Sequence, residues 1–212
     1  MLERLYPMTN VSVIAHYVDK ESETILDLGC GKGDIMASLK RRGYKGAAIG
    51  GDVFLRYLKV CKTCPTYNDC VLLDARYPPF REKSIDLILF IGVIEHLGKG
   101  DGLVVLEELD RLSKKRIIVL TSSGFLPQDS FDCNIYQEHK SGWFPEEFRK
   151  RGYKVYGVSG IKRAPYAIKS KIGKKISALL IAFPLLRFVS QPFVYTKPEI
   201  AFHMVCVKNL PP

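Results

Sequence analysis

The sequence predicts a doubly wound α/β fold with helices on both faces of a parallel sheet. Three observations predict it. Segments of strand and helix character alternate along most of the 212 residues, which favours parallel strands joined by crossover helices. A turn with three glycines at alternate positions, Gly29, Gly31 and Gly33, follows the first strand and opens the first helix. The run Ile85–Ile91 is nearly all apolar, as a central strand covered on both faces must be.

The first strand is Thr24–Leu28, the short apolar run before the glycines, and Asp34–Arg42 is the helix after them. Gly46–Asp52 reads as the second strand and Phe54–Lys62 as the helix that returns from it. Asp69–Leu73 is the third strand and Ile85–Ile91 the fourth. Gly102–Leu112 is helix, Arg116–Thr121 the fifth strand and Pro145–Arg151 a further helix. Tyr153–Val158 and Ala201–Val207 complete a count of seven strands. The chain length suits one α/β domain over residues 1–212, with an N-terminal cap, 1–23, and a basic, partly helical insertion before the last strand, 160–198. No internal repeat is apparent.

Hydrophobic content of 47% and charged content of 25% are ordinary for a soluble globular protein. No signal peptide is visible at the N-terminus, where Glu3, Arg4 and Pro7 interrupt any apolar core. The most apolar stretch, Ile176 to Leu186, is too short to span a membrane and contains Pro184. Six scattered cysteines do not form a disulfide framework, so a reducing, cytoplasmic location is expected. Cys61, Cys64 and Cys70 have the spacing C-x2-C-x5-C, but no second CxxC supplies a fourth ligand, and no metal site is assigned.

The net charge is +10, and residues 161–198 carry eight cations and no acid. A basic surface of this kind meets an acidic partner or is simply solvated. Nucleic acid is one such partner, although no nucleic-acid module is recognisable. Peripheral contact with an anionic membrane through 161–198 is another. Lys169 to Phe183 reads as a cationic helix start running into an apolar segment, which suits a lid, a membrane-surface helix or a packed helix.

The glycine loop is the most informative stretch. Its residues let the backbone approach a ligand closely, and the following helix points free N–H groups into the loop. A dinucleotide fingerprint wants a third glycine where this chain has Asp34. A carboxylate beside a pyrophosphate adds repulsion, so a zwitterionic ligand fits better than a doubly anionic one. Asp52, about twenty residues beyond the loop at a strand end, is placed to accept hydrogen bonds from ribose hydroxyls, or to cap the next helix.

The pattern Asp27-Leu28-Gly29-Cys30-Gly31-Lys32-Gly33 resembles motif I of the class I S-adenosylmethionine-dependent methyltransferases. Leu73-Asp74-Ala75 at the third strand end, and Ser84-Ile85-Asp86 leading to Glu95-His96-Leu97, are similar to that family's later motifs. A further run, His139-Lys140-Ser141-Gly142-Trp143 with Phe148 and Gly152-Tyr153, extends the likeness. The resemblance implies a seven-stranded, mostly parallel sheet with the last strand antiparallel between the fifth and sixth. It implies S-adenosylmethionine as cofactor. Its binding residues would be Asp27, Gly29, Cys30, Gly31, Gly33, Asp52, Val53, Asp74, Ala75, Ile91 and Gly92. The base motif of exocyclic-amine methylases, Asp-Pro-Pro-Tyr or Asn-Pro-Pro-Tyr, is absent after Ile91. The expected acceptor is therefore a small molecule or lipid-like compound rather than a nucleobase amine. The alternative is a noncatalytic cofactor-binding module of the same fold.

The methyl group of that cofactor sits on a sulfonium, itself a good leaving group. The protein then has to align a nucleophile, with a base only if the nucleophile must lose a proton. His96 and His139 are the candidate bases. Trp143 either packs its loop or lines the acceptor pocket.

Overall fold

The computed structural model describes residues 10–130, 132–162 and 184–211, with the side chains of 184–188 left aside. The helices are α1 (Asn10–Tyr17), α2 (Asp34–Arg41), α3 (Leu55–Cys61), α4 (Lys99–Leu112), α5 (Pro145–Arg149) and α6 (Pro184–Tyr195). The strands are β1 (Thr24–Leu28), β2 (Ala47–Asp52), β3 (Asp69–Leu72), β4 (Ile85–Ile91), β5 (Ser113–Ser122), β6 (Lys154–Ile161) and β7 (Ala201–Asn209). One seven-stranded sheet has the order β3-β2-β1-β4-β5-β7-β6. Pairs from β3 through β5 are parallel, and β7 runs antiparallel to both β5 and β6.

Alternation along the central strands sorts their side chains onto two faces. Leu26, Ile88, Phe90, Ile117 and Val119 pack with Val105, Leu106 and Leu109 of α4 and with Phe148 of α5. Ile25, Leu87, Leu89, Ile118 and Leu120 pack on the other side with Val13 and Ile14 of α1 and Met36 and Leu39 of α2. β4 is buried from Ile85 to Phe90, which is why it reads as an unbroken apolar run.

Three departures from the sequence expectation have physical causes. α4 begins at Lys99 rather than Gly102, which sits inside the helix as a packing position rather than at its start. A Cβ on Gly102 would stand 2.4 Å from Cζ2 of Trp143. β5 and β7 are longer than their apolar runs because antiparallel pairing carries on through Arg116↔Asn209 and Ser122↔His203. α6 falls inside the segment read as an insertion, and it contains Pro192. Tertiary contacts hold it: the buried Gln191 side chain donates to the Gly157 carbonyl and accepts from the Gly160 N–H.

Among the described residues no helix is long and apolar enough to cross a membrane. Most of the basic stretch, and with it the lid or membrane-surface segment Lys169–Phe183, lies outside the described residues, as does the cap before Asn10.

Candidate active site

A cavity of about 370 Å³ opens at the carboxyl ends of β1, β2, β3 and β4. This is where ligands bind in doubly wound sheets. Gly29, Gly31, Asp52, Val53, Asp74, Ala75 and Gly92 line it, together with His96, Arg76, Asn134, Tyr136, Gln137 and Lys140.

Gly29 crosses under the end of β4, where a Cβ would meet Cγ2 of Val93 at 2.2 Å. Gly31 has φ +55 and nothing within 4 Å of its would-be Cβ. The loop thus packs tightly on one side and stays open on the other, a cradle that a ligand can enter. Asp52 ties the loop to α3: its carboxylate accepts from the Gly31 N–H at 2.9 Å and the Phe54 N–H at 2.8 Å. Burial raises its pKa, and these N–H groups work against that rise. One carboxylate thus anchors the glycine loop, holds the start of α3 and lines the cavity.

Asp27, Cys30, Gly33 and Ile91, expected to contact the cofactor, do not line the cavity. Asp27 is buried behind the loop, where it accepts a 2.6 Å hydrogen bond from the Tyr67 hydroxyl. Its pKa is pushed up to about 6, chiefly by burial, with the Tyr67 bond opposing. Its hydrogen-bond partner Tyr67 lies against the loop, with its ring 3.0 Å from a would-be Cβ on Gly33. Cys30 turns away toward Cys61. Asp74 lines the cavity, but Arg76 grips it through Nε and Nη2, the latter at 2.6 Å, and holds it below the usual carboxylate range. Neither Tyr67 nor Arg76 belongs to a recognisable pattern in the sequence, so neither was foreseen.

His96 ends a single 3-10 turn, Ile94–His96, before α4. It reaches the cavity, and His139 does not, but the two rings meet edge to face with centroids 4.8 Å apart. Each ring has its Nδ1 on a backbone carbonyl: Glu138 at 3.1 Å for His96, and Leu126 at 2.6 Å for His139. A carbonyl only accepts, so Nδ1 of each ring carries the proton and Nε2 is left as the basic nitrogen. Burial lowers the pKa of His96, while the Glu138 and Gly92 carbonyls pull it up. Desolvation leads, so His96 is neutral at pH 7 and able to accept a proton.

Glu95, beside it, is almost fully buried and accepts from the Thr121 hydroxyl at 2.9 Å. Its backbone carbonyl accepts from the N–H groups of Lys140 and Ser141. It thereby pins the segment that carries His139 to the sheet. Trp143 is wholly buried in the core and donates to the Ser141 hydroxyl at 2.8 Å. It packs its loop and does not line the cavity. Lys32 of the glycine loop pairs with Asp132 at 2.8 Å. Among the described residues no cluster of side chains is arranged to hold a metal ion.

Burial pushes the Glu95 carboxyl up to about 7, against about 4.3 when unfolded. The folded state thus holds this proton more tightly than the unfolded chain. The associated stability is full below the unfolded pKa and is lost as pH rises through about 7. Glu95→Gln keeps an acceptor for Thr121 and removes the charge. The variant should gain on the wild type by on the order of 2–3 kcal/mol as pH goes from about 5 to 8. Thermal melts across that range check it, and a Tm difference independent of pH would contradict it.

Residues 26–120, from β1 through β5, match the family described as Methyltransferase domain. This segment, a little under half of the chain, is similar to that domain. Its sheet has the strand order and the antiparallel β7 that the resemblance implied. Solved structures share this methyltransferase fold along nearly the whole chain. A SAM dependent methyltransferase from Archaeoglobus fulgidus has a TM-score of 0.57 at 16% identity, covering 95% of each chain. The methyltransferase domain of a bacterial Hen1 has a TM-score of 0.59 at 18% identity, covering 98% of each. The small RNA methyltransferase HEN1 has a TM-score of 0.61 at 17% identity, covering 93% of this chain and 25% of that one. No curated protein sequence matches the chain.

Proposed function

We propose that this methyltransferase domain binds S-adenosylmethionine in the cavity and transfers its methyl group to an acceptor presented at His96. The observation that carries the reading is the cradle itself: Gly31 with open space above its α-carbon, and the Asp52 carboxylate at its edge. The cavity walls fit that cofactor. Asp52 would hold the ribose hydroxyls, Asp74 and the Ala75 N–H the adenine edge, and Gly29 and Gly31 the methionine end. When bound, the cofactor supplies an electrophilic methyl on a sulfonium.

The chain's own residues supply position and a base. The segment carrying Asn134, Tyr136, Gln137 and Lys140 forms one wall of the cavity. Nε2 of His96 takes a proton from an acceptor hydroxyl as the nucleophile forms its bond. His139, set edge to face against the His96 ring and held by the Leu126 carbonyl, keeps that ring in place. The acceptor class is a small molecule or lipid-like compound, since the base-amine motif is missing. RNA is the second reading, favoured by the +10 charge and the eight cations between residues 161 and 198.

Calorimetry with S-adenosylhomocysteine tests the first step, with NAD as the contrasting ligand. Asp52→Ala should weaken S-adenosylhomocysteine by about 2–4 kcal/mol, the loss of two charge-assisted hydrogen bonds. Unchanged affinity in a folded variant would refute the ribose role. An acceptor screen reading S-adenosylhomocysteine release, with single-stranded RNA among the candidates, separates the two acceptor classes. Tight binding with no turnover on any acceptor would favour a noncatalytic module.

A further inference from the structure

Beneath the glycine loop three thiols from distant parts of the chain come into contact. Cys30 sits in the loop itself, Cys61 ends α3 and Cys70 lies on β3. Sγ of Cys61 is 2.7 Å from Sγ of Cys70 and 3.6 Å from Sγ of Cys30. All three are buried, and with Leu58 they form a small cluster separate from the two main cores. Gly50 of β2 makes the room: a Cβ there would lie 3.0 Å from the sulfur of Cys30 and 3.1 Å from that of Cys61. Alanine or valine would fill apolar space equally well. Three sulfurs in contact offer one thing those side chains lack, a covalent bond between them.

We propose that Cys61 and Cys70 are the site of a reversible disulfide, with Cys30 as a third thiol positioned to exchange into it. The sulfurs have well under an ångström to travel to the ~2.05 Å of the bond. The oxidant is a peroxide. One thiolate is oxidised to sulfenic acid, releasing hydroxide. The neighbouring thiol then attacks that sulfur, the S–S bond forms, the S–O bond breaks and water leaves. In exchange, the Cys30 thiolate attacks Cys61 and Cys70 departs as a thiolate. Burial pushes the Cys61 thiol up to about 12 and that of Cys30 well above the ordinary range. Little thiolate is present at neutral pH, so the bond forms slowly and reports sustained rather than transient oxidation.

The two pairings differ in their effect on the site. A Cys61–Cys70 bond staples the end of α3 to β3 and leaves the glycine loop alone. A Cys30–Cys61 bond pulls on a residue flanked by Gly29 and Gly31, both of which line the cavity.

The test uses the full chain, reduced, then treated with hydrogen peroxide at mildly alkaline pH. Free thiols are counted after denaturation, and disulfides are mapped by mass spectrometry of unreduced peptides. The expected result is two thiols fewer than the six present, a linked Cys61–Cys70 peptide, and full recovery with dithiothreitol. In Cys70→Ala the same treatment should give a Cys30–Cys61 link and weaken S-adenosylhomocysteine about tenfold relative to the reduced variant. Six thiols remaining in the wild type, loss of thiols without a linked peptide, or links made only through Cys64 and Cys133 would each overturn the proposal.

Discussion

Gly31→Val is expected to abolish S-adenosylmethionine binding while the sheet stays folded. The side chain would meet no protein atom within 4 Å of its Cβ, so no neighbour has to move to admit it. The cost to folding is the positive φ of +55, about 1–2 kcal/mol for a residue with a Cβ. The branched side chain would instead occupy the cavity beside Gly29 and Asp52, where the proposed function puts the methionine end of the cofactor. Valine there forfeits the close backbone approach that the glycine permits. Affinity for S-adenosylhomocysteine should fall by about a thousandfold or more, with circular dichroism close to wild type. Wild-type affinity in a folded Gly31→Val protein would exclude this loop as the cofactor site.

His96→Ala is expected to leave cofactor affinity nearly unchanged and to lower turnover by about 10²–10⁴-fold. The geometry separates the two effects. His96 lines the cavity from the turn after β4, whereas Asp52 ends β2, and the His96 Nδ1 is committed to the Glu138 carbonyl. Because burial lowers its pKa, the acidic limb of the rate profile should lie below the value of a free imidazole. In His96→Ala that limb should vanish with the rate. His139→Ala, which removes the ring behind it, should lower the rate less while shifting the limb. A wild-type rate in His96→Ala would reduce the reaction to proximity alone.

The fold was legible where side-chain burial is set by neighbours in sequence. β1 and β4 were placed to the residue because both are buried on both faces and end at sharp turns. The order of the strands, by contrast, came only through the family likeness. Nothing in Ala201–Asn209 itself announces an antiparallel strand between β5 and β6. The bounds of α6 were not placed within the partly helical insertion, because its reason for being helical is a docked partner, Gln191 on the backbone of β6, and Pro192 argues against a helix. In the site, Asp52 and the glycines were legible because backbone geometry demands those residue types. Asp27 was assigned to the cofactor on its position in the motif, and only the three-dimensional placement of Tyr67, forty residues away, reveals that its carboxylate faces inward. The pairing of His96 with His139 likewise needed the fold, since forty-three residues separate them.

The position of β7 has a consequence for how the chain is made. Among the described residues β6 pairs with β7 alone, and β5 has β7 on one side. During synthesis β1 through β5 can pair as they emerge, but β5 then waits with an open edge, and β6 has no neighbour at all. Those pairings are far apart in sequence for β5, so they are slow to find. Until β7 arrives, Ile118 and Leu120 and the unpaired backbone beside them form an edge of the kind that invites association between nascent chains. The strand that completes the sheet is thus also the one that ends this exposure, and a ribosome paused shortly before Ala201 would hold the chain in its most vulnerable form.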